Sequence, residues 1–172
     1  QRYKMNQKGV TIKVTSRDVN WSRFVKTAQS FKRMRTEIGL PNDNKFTTNA
    51  SSRIKTYKQL IMVALILEFG APNKNIPERA LFRITFDSQQ KHIQRKMNAG
   101  ARDVFLGKKT IEQVLSEIGD YVVEKLQKNI MRKMPPPNAP RTVSRKHFNH
   151  PLLESGTFYA NLHHREVKGV RV

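Results

Sequence analysis

The chain has 172 residues, 37% of them apolar, which suits one domain with a hydrophobic core and argues against a fully disordered protein. It contains no cysteine, so disulfide bonds, thiolate catalysis and cysteine-based zinc sites are excluded. Its 33 lysines and arginines stand against 13 acidic residues, a formal charge of +20, which favours nucleic acid, an anionic membrane surface or acidic proteins as partners. The alternative is a stable protein whose surface is merely basic.

The apolar runs of the chain bear on membrane insertion. The longest, residues 60–67, falls well short of the ~18 residues that a membrane-spanning helix needs, and no signal peptide follows Gln1. We therefore expect no membrane-spanning segment, and a membrane is not among the partners that we predict. Because the chain starts with Gln1 rather than Met, we expect it to begin inside a longer product.

The N-terminal region predicts a strand followed by a helix. Residues 9–15 alternate apolar and polar side chains, as in a half-buried strand. Asp18 or Asn20 can cap the helix, Gly39 is a suitable stop, and Pro41 prevents its continuation. The apolar positions at helical spacing are Trp21, Phe24, Val25, Ala28, Phe31 and Met34.

The next two segments predict a loop and a buried strand. Residues 40–58 are rich in Asn, Thr and Ser and carry several cations, which is typical of a long functional or disordered surface loop. Residues 60–69 form a continuous apolar run rich in Ile, Val and Leu, which favours a central strand over a helix.

Two capping boxes predict two further helices. Asp87 and Gln90 have the spacing for a basic helix that runs to about Asp103, and Gly107 breaks the pattern. Thr110 and Gln113 have the same spacing at the start of a long amphipathic helix, near 110–134, which Pro135–Pro137 end. Its apolar stripe consists of Ile111, Val114, Leu115, Ile118, Val122, Leu126, Ile130 and Met134.

The C-terminal region predicts a loop and two strands. Residues 138–141 begin a basic loop, and the alternation over 158–162 indicates a strand. A partner strand with Val167, Val170 and Val172 would follow a turn near 164–166. The predicted fold is therefore a single α+β domain over residues 1–172, with a small antiparallel or mixed sheet packed against two to three helices.

Sites for chemistry are sparse in the sequence. Residues 107–110, Gly-Lys-Lys-Thr, lack the earlier glycine of a phosphate-binding loop, because Arg102 occupies that position; a helix start fits better. His147 and His150 lie in a loop, while adjacent strand residues such as His163 and His164 face opposite sides, so solvated or nucleic-acid-facing histidines are the better interpretation.

The acidic residues are scattered, without the converging carboxylates of a two-metal nuclease. We predict no catalytic residue, metal site or cofactor, and hence no enzyme, unless a constellation is hidden from a single sequence. These scattered acids include Asp18, Glu68, Asp87, Asp103, Glu117 and Asp120.

Cations are spread over many predicted elements, including the clusters Lys32–Arg35 and Lys91–Lys96. This spread indicates a broad electrostatic surface that meets backbone phosphates or acidic proteins, rather than a base-reading element. The candidate contacts with DNA or an acidic partner are Lys45, Arg53, Lys55, Lys128, Arg132, Lys133, Arg141, Arg145 and Lys146.

Two blocks of the sequence together resemble a known family. They are LEFGAPNKNIPERALFRITF, residues 67–86, and PPPNAPRTVSRKHFNHPLLESGTFYANL, residues 135–162. This arrangement resembles the tailed-phage neck and tail-completion proteins, the minor-tail-protein-Z-like head–tail joining family. The matching positions are Glu68, Phe69, Gly70, Pro77, Arg79, Phe82, Pro140, Thr142, Lys146, Pro151, Leu152, Ser155 and Gly156. Glu78, which replaces a small residue, and the loop at 40–58 depart from the pattern.

The resemblance implies a structural protein of the virion, assembled in the host cytoplasm. It would form a homo-oligomeric, hexameric ring around the DNA channel, between the tail terminator and the head connector. The alternative function is a nonspecific basic nucleic-acid-binding protein. The resemblance also suggests an interface with a neighbour at Glu68, Phe69, Gly70, Pro77, Arg79, Pro151 and Leu152.

The segment around Arg79 can be explained in two ways. Gly70 permits a chain reversal and Pro77 presets the backbone, while the planar fork of Arg79 suits a carboxylate on a neighbour or on Glu68. In the first explanation the segment fixes one subunit against the next. In the second, Arg79 pairs inside its own subunit and the turn only joins core elements.

Overall fold

The computed structural model describes residues 6–7, 10–11 and 19–169 and has an α+β fold. The elements in chain order are β1 (Asn6–Gln7), β2 (Val10–Thr11), α1 (Val19–Phe31), β3 (Met34–Gly39), α2 (Tyr57–Phe69), α3 (Leu81–Phe105), α4 (Ile111–Met131), α5 (Pro140–Lys146), α6 (Thr157–Ala160) and β4 (His163–Lys168). The strands pair as two antiparallel two-stranded sheets, β1 with β2 and β3 with β4.

Helix α4 is the long amphipathic helix that the sequence predicts near 110–134, although it ends at Met131, before the three prolines. The Thr110 side chain accepts from the Gln113 backbone, and the Gln113 side chain caps Thr110 in return, which confirms the predicted capping box. The stripe of α4 from Ile111 to Ile130 is buried against α3 and the β3–β4 sheet. Gly119 lets α4 lie directly on the sheet, because a Cβ at this position would collide with the His164 ring.

Helix α3 is longer than predicted and starts earlier. It begins after Ala80, so Asp87 lies inside the helix and the prediction that Asp87 caps it is wrong. The helix ends at Phe105, close to the predicted break at Gly107. The main core, on which these helices pack, consists of Leu60, Ala64, Leu81, Val122, Leu126, Ile130, Met134, Phe158 and Leu162.

The prediction of a central strand at 60–69 is wrong, because this segment is helix α2. Thr56 and Gln59 form a capping box at its start, and this local signal decides the conformation. Leu60 and Ala64 are buried on one side, and apolar residues also cover the opposite side, so helical periodicity is hidden.

Three N-terminal predictions are corrected or only partly covered. Residues Val10–Thr11 of the predicted strand 9–15 do pair, with Asn6–Gln7, whereas 12–15 lie outside the described residues. Asn20 lies within α1 instead of capping it, and Asp18 is also outside the described residues. Met34–Gly39 form β3 rather than the end of the helix, because they pair with β4.

The C-terminal predictions are also partly wrong. Residues Thr157–Ala160 form the short helix α6, not a strand. The predicted turn at 164–166 lies in the middle of β4, which includes Val167, while Val170 and Val172 lie outside the described residues. The basic segment predicted as a loop contains α5, which Pro140 starts.

The predicted loop is confirmed over residues 40–56, although Tyr57 and Lys58 belong to α2. It is pinned to the core by Asn161, whose side chain exchanges two hydrogen bonds with the Thr47 backbone, at 2.9 Å and 2.7 Å. Ser52 of the loop is buried. Within the described part of the chain, no helix is long and apolar enough to cross a bilayer.

A cross-strand ion pair contributes to the β3–β4 pairing. Glu37 lies opposite Arg165 and accepts from its Nε at 2.8 Å, and Arg35 donates to the same carboxylate at 2.9 Å. The hydrogen bond from Arg165 holds the pKa of Glu37 below its ordinary value of 4.5. Because the folded state then binds fewer protons, the stabilisation is present above the ordinary pKa and is lost as pH falls through the folded pKa.

We expect Glu37→Gln to lower the free energy of unfolding at neutral pH, because the charge-assisted bonds to Arg165 and Arg35 are lost. The difference from wild type should shrink to zero as pH falls below the pKa of Glu37. Urea unfolding at a series of pH values measures this effect. Glu124→Gln, at an exposed helical position, is the control. A loss in the free energy of unfolding of Glu37→Gln that stays the same at every pH would contradict the prediction.

Candidate functional site

The segment that joins α2 to α3 is a tight chain reversal. Gly70 has φ +73°, and a Cβ there would lie 2.9 Å from the backbone nitrogen of Glu78, so only glycine fits without displacement. Ala71 and Ile76 then pair through two backbone hydrogen bonds, with a 3₁₀ turn at Pro72–Lys74 between them. The role expected for Gly70 is confirmed.

Glu68 caps the N-terminus of α3 across this reversal. Its Oε2 accepts from the Phe82 backbone at 2.9 Å and its Oε1 from the Arg83 backbone at 3.0 Å. The residue is only 8% exposed, and its charge is stabilised by these amides, by the positive end of the helix dipole and by Arg83, whose Nε lies 4.0 Å from Oε1. Glu68 thus fixes the direction in which α3 leaves the segment that joins it to α2, called the joint below.

Arg79 binds the proline-rich turn that follows α4. Its Nε donates to the Pro136 carbonyl at 2.9 Å and its Nη2 to the Pro137 carbonyl at 3.1 Å. The residue is 6% exposed, and burial lowers the pKa of its guanidinium. The Nε and Nη2 of Arg79 therefore bind carbonyls of their own subunit. Glu68 is not their acceptor, because its carboxylate accepts from the backbone amides of α3.

A cavity of about 310 Å³ lies between α2, α5 and the segment that leads to α6. Four cations line it: Arg53 from the loop before α2, Arg79 from the joint, and Arg145 and Lys146 from α5. The same cavity has an apolar wall, formed by Ile54, Val63, Leu67, Pro77, Leu152 and Phe158. Both sequence blocks that carry the family resemblance contribute to this one cavity.

The rim of the cavity holds one carboxylate between two arginines. Glu154 lies 3.7 Å from Arg53 Nε and 3.4 Å from Arg145 Nη2, distances typical of loose, solvated ion pairs. Lys146 donates to the His150 carbonyl at 2.8 Å, and burial lowers the pKa of its ammonium group. Among the described residues that line the cavity, the four cations therefore outnumber the single carboxylate.

Asn138 also lines the cavity. Its Nδ2 finds no acceptor among the residues that the structure describes, but the atom is shielded from solvent and therefore does not open into the cavity.

The structure brings together only part of the predicted site. Pro77, Arg79 and Leu152 of the predicted interface meet three of the predicted cations, Arg53, Arg145 and Lys146. Lys45 lies near Asp43, and Lys55 donates to the Asn49 and Ala50 carbonyls within its own loop. The remaining predicted residues lie elsewhere: Phe69 is exposed on α2, Pro151 is buried, Lys128, Arg132 and Lys133 lie at the end of α4, and Arg141 is exposed on α5.

Two residues of the cavity escaped the sequence analysis. Asn138 stands among prolines and Glu154 between leucine and serine, and neither position carries a motif. The only signal for either is the family resemblance of the block 135–162, within which both lie.

The prediction of solvated histidines is wrong for the two in β4. His163 and His164 are half-buried, and they do face opposite sides. His163 Nε2 lies 2.9 Å from Asp43, and His164 Nε2 lies 3.0 Å from Asp120 on α4. Both side chains help to hold the sheet in place.

Comparisons with known proteins show no family for this chain. No protein-family model, curated protein or solved structure matches the chain. Among the described residues, no group of three or more His, Asp or Glu side chains is arranged to hold a metal ion.

We expect Arg79→Ala to lower the free energy of unfolding by about 2 kcal/mol, because two carbonyls of the proline turn lose a charged donor. Arg79→Lys should lose less, since a single ammonium can still reach one carbonyl. Urea unfolding of both variants tests this. A loss within about 0.5 kcal/mol of zero for Arg79→Ala would contradict it.

We expect Glu68→Gln to cost about 1 kcal/mol, because a neutral amide oxygen is a weaker cap than a carboxylate at a helix N-terminus. The matched control is Glu78→Gln, whose carboxylate forms an exposed pair with Arg83 at 2.6 Å. That change should cost less than about 0.5 kcal/mol. Equal losses for the two variants, measured by urea unfolding, would refute the capping role.

Proposed function

We propose that this protein is a structural head–tail joining protein, of the neck or tail-completion kind, in a tailed bacteriophage. In this role copies of the chain form a closed ring around the DNA channel, between the head connector and the tail. The family resemblance suggests the role. The observation that carries it is a pair of exposed apolar surfaces at opposite ends of α3, which suit head-to-tail self-association.

The first surface, the α2 stripe, consists of Met62, Leu65 and Phe69 on α2. Glu68, next to Phe69, is hydrogen-bonded to the first turn of α3, in which Ile84 is also exposed. The three α2 residues follow helical spacing and are 55%, 54% and 64% exposed. A helix that is apolar on all sides is usually buried on all sides, and exposed apolar patches mark protein–protein contacts. Phe69, the last residue of α2, belongs to both this stripe and the interface that the resemblance suggests.

The second surface, the aromatic patch, consists of Trp21 and Phe24 on α1 and Phe105 and Leu106 at the end of α3. Phe24 stacks on Trp21 and on Phe105, with ring centroids 5.6 Å and 4.9 Å apart. All four side chains are exposed by more than a third of their area. Flat aromatic surfaces of this kind are enriched at protein interfaces.

The arrangement of the two surfaces fits a ring. A closed ring needs heterologous contacts, in which one patch of a subunit meets a different patch of the next. Ile84 lies in the first turn of α3 and Phe105 is its last residue, so the surfaces are about 30 Å apart along a helix that rises ~1.5 Å per residue. We therefore assign a second copy of this chain as the occupant of the α2 stripe.

The charge of the chain suits a position around DNA. Many of its few acids already pair with cations of the same chain, as Glu37, Asp43 and Glu117 do, so the formal charge of +20 is carried largely by unneutralised lysines and arginines. Such a ring would attract the phosphates of DNA in a channel or acidic faces of adjacent rings.

We expect the purified chain to form rings visible by negative-stain electron microscopy, and Phe69→Asp or Leu106→Asp alone to reduce it to monomers. Burying a carboxylate in an apolar contact costs free energy, so each variant should lose one of its two contact surfaces. Since every contact in the ring needs both surfaces, no contact then forms. An equimolar mixture of the two variants should form dimers but no rings, because one intact stripe still meets one intact aromatic patch. Light scattering coupled to size-exclusion chromatography measures all three states.

Met97→Asp is the matched control, since Met97 is an exposed apolar residue in the middle of α3, outside both surfaces. It should assemble like wild type. In tailed particles, antibody against the protein should label the head-proximal end of the tail. A wild-type chain that remains monomeric and binds duplex DNA of any sequence, with steep salt dependence, would favour the nonspecific nucleic-acid-binding alternative.

A further inference from the structure

We propose that the cationic cavity between α2 and α5 is a binding site for a partner peptide in which an acidic side chain stands next to an apolar one. The acidic side chain would lie among Arg53, Arg145 and Lys146, and the apolar one against the wall formed by Leu67 and Leu152. Neither the α2 stripe nor the aromatic patch lines this cavity, so a monomer would retain the site.

The charge balance of the cavity calls for an anion. Four cations line it, and Glu154 is the one carboxylate among the described residues of its lining. Glu154 itself lies at 3.4 Å and 3.7 Å from two of the arginines, which are loose contacts that an incoming carboxylate can replace. The position of Glu154 also shows that a carboxylate oxygen fits between Arg53 and Arg145.

A buried and fixed guanidinium makes the site more than a patch of surface charge. Arg79 is 6% exposed and lines the cavity. Its Nε and Nη2 donate to the two carbonyls of the proline turn, which fixes the guanidinium at the cavity wall.

The shape and lining of the cavity favour a peptide over a nucleic acid. The volume of about 310 Å³, open to solvent on one side, is of the size of one or two side chains. The apolar wall has no counterpart on a sugar–phosphate backbone.

Binding to an array of short, acetylated and amidated peptides tests the site. Each peptide carries a leucine or phenylalanine next to glutamate on a glycine–serine background, and its matched control carries glutamine instead. We expect the best glutamate peptides to bind about tenfold more tightly than their glutamine counterparts, because a charge-assisted hydrogen bond is lost in the latter. The proposal would be overturned if no glutamate peptide bound more tightly than its glutamine control.

Variants of exposed rim residues separate this site from general charge attraction. Arg145→Gln should weaken binding of the best peptide about tenfold, and Glu154→Gln should strengthen it about threefold, because a competing carboxylate is removed. Arg141→Gln is the matched control: it lies on the same helix, α5, and does not line the cavity. Equal effects of Arg141→Gln and Arg145→Gln would overturn the proposal.

Duplex DNA as a competitor decides between the two classes of ligand. We expect DNA to leave the peptide in place at physiological ionic strength. Displacement of the peptide by DNA, together with loss of DNA binding in Arg145→Gln, would show that the cavity receives a phosphate and would overturn the peptide assignment. Ring formation is measured separately, by light scattering on the same variants, so failure of one proposal leaves the other intact.

Discussion

Two buried and oppositely charged side chains, Glu68 and Arg79, hold the centre of this structure, and each is satisfied by the backbone rather than by the other. Glu68 receives two amides at the start of α3, and Arg79 gives two hydrogen bonds to the carbonyls of the proline turn after α4. Burying a charge is costly unless it is fully hydrogen-bonded, so these contacts tolerate little displacement. Together they fix the relative positions of α2, α3 and the segment that leads to α5.

The cavity follows from this arrangement. The proline turn is held against the α2–α3 joint by Arg79, and α5 begins directly after that turn at Pro140. Its cations Arg145 and Lys146 are thereby brought opposite the apolar side of Leu67 and Val63. A site with both charge and apolar surface thus forms from segments that are far apart in the chain, and its geometry depends on the same buried arginine.

Local signals in the sequence were sufficient for α4 and for the extent of the loop before α2. Thr110 and Gln113 are an unambiguous start signal, and the apolar stripe that follows is periodic. The stop is less exact: the helix ends at Met131, and Lys133 takes a positive φ before the three prolines are reached. The error at α2 has a physical cause: Met62, Leu65 and Phe69 are apolar on the exposed side, so the segment lacks the polar face that identifies a helix. Likewise β3 is stabilised by a partner strand about 130 residues later, which no window of sequence contains.

Helix α3 has a further consequence for the assembly proposed above. It is 25 residues long, and its two ends carry the surfaces assigned to successive neighbours. A regular helix resists compression along its axis, so the spacing between adjacent copies would be set by the number of its turns. The bore of such a collar would then be encoded in a length of backbone, and inserting or deleting a helical turn would dilate or narrow the opening without altering either contact surface.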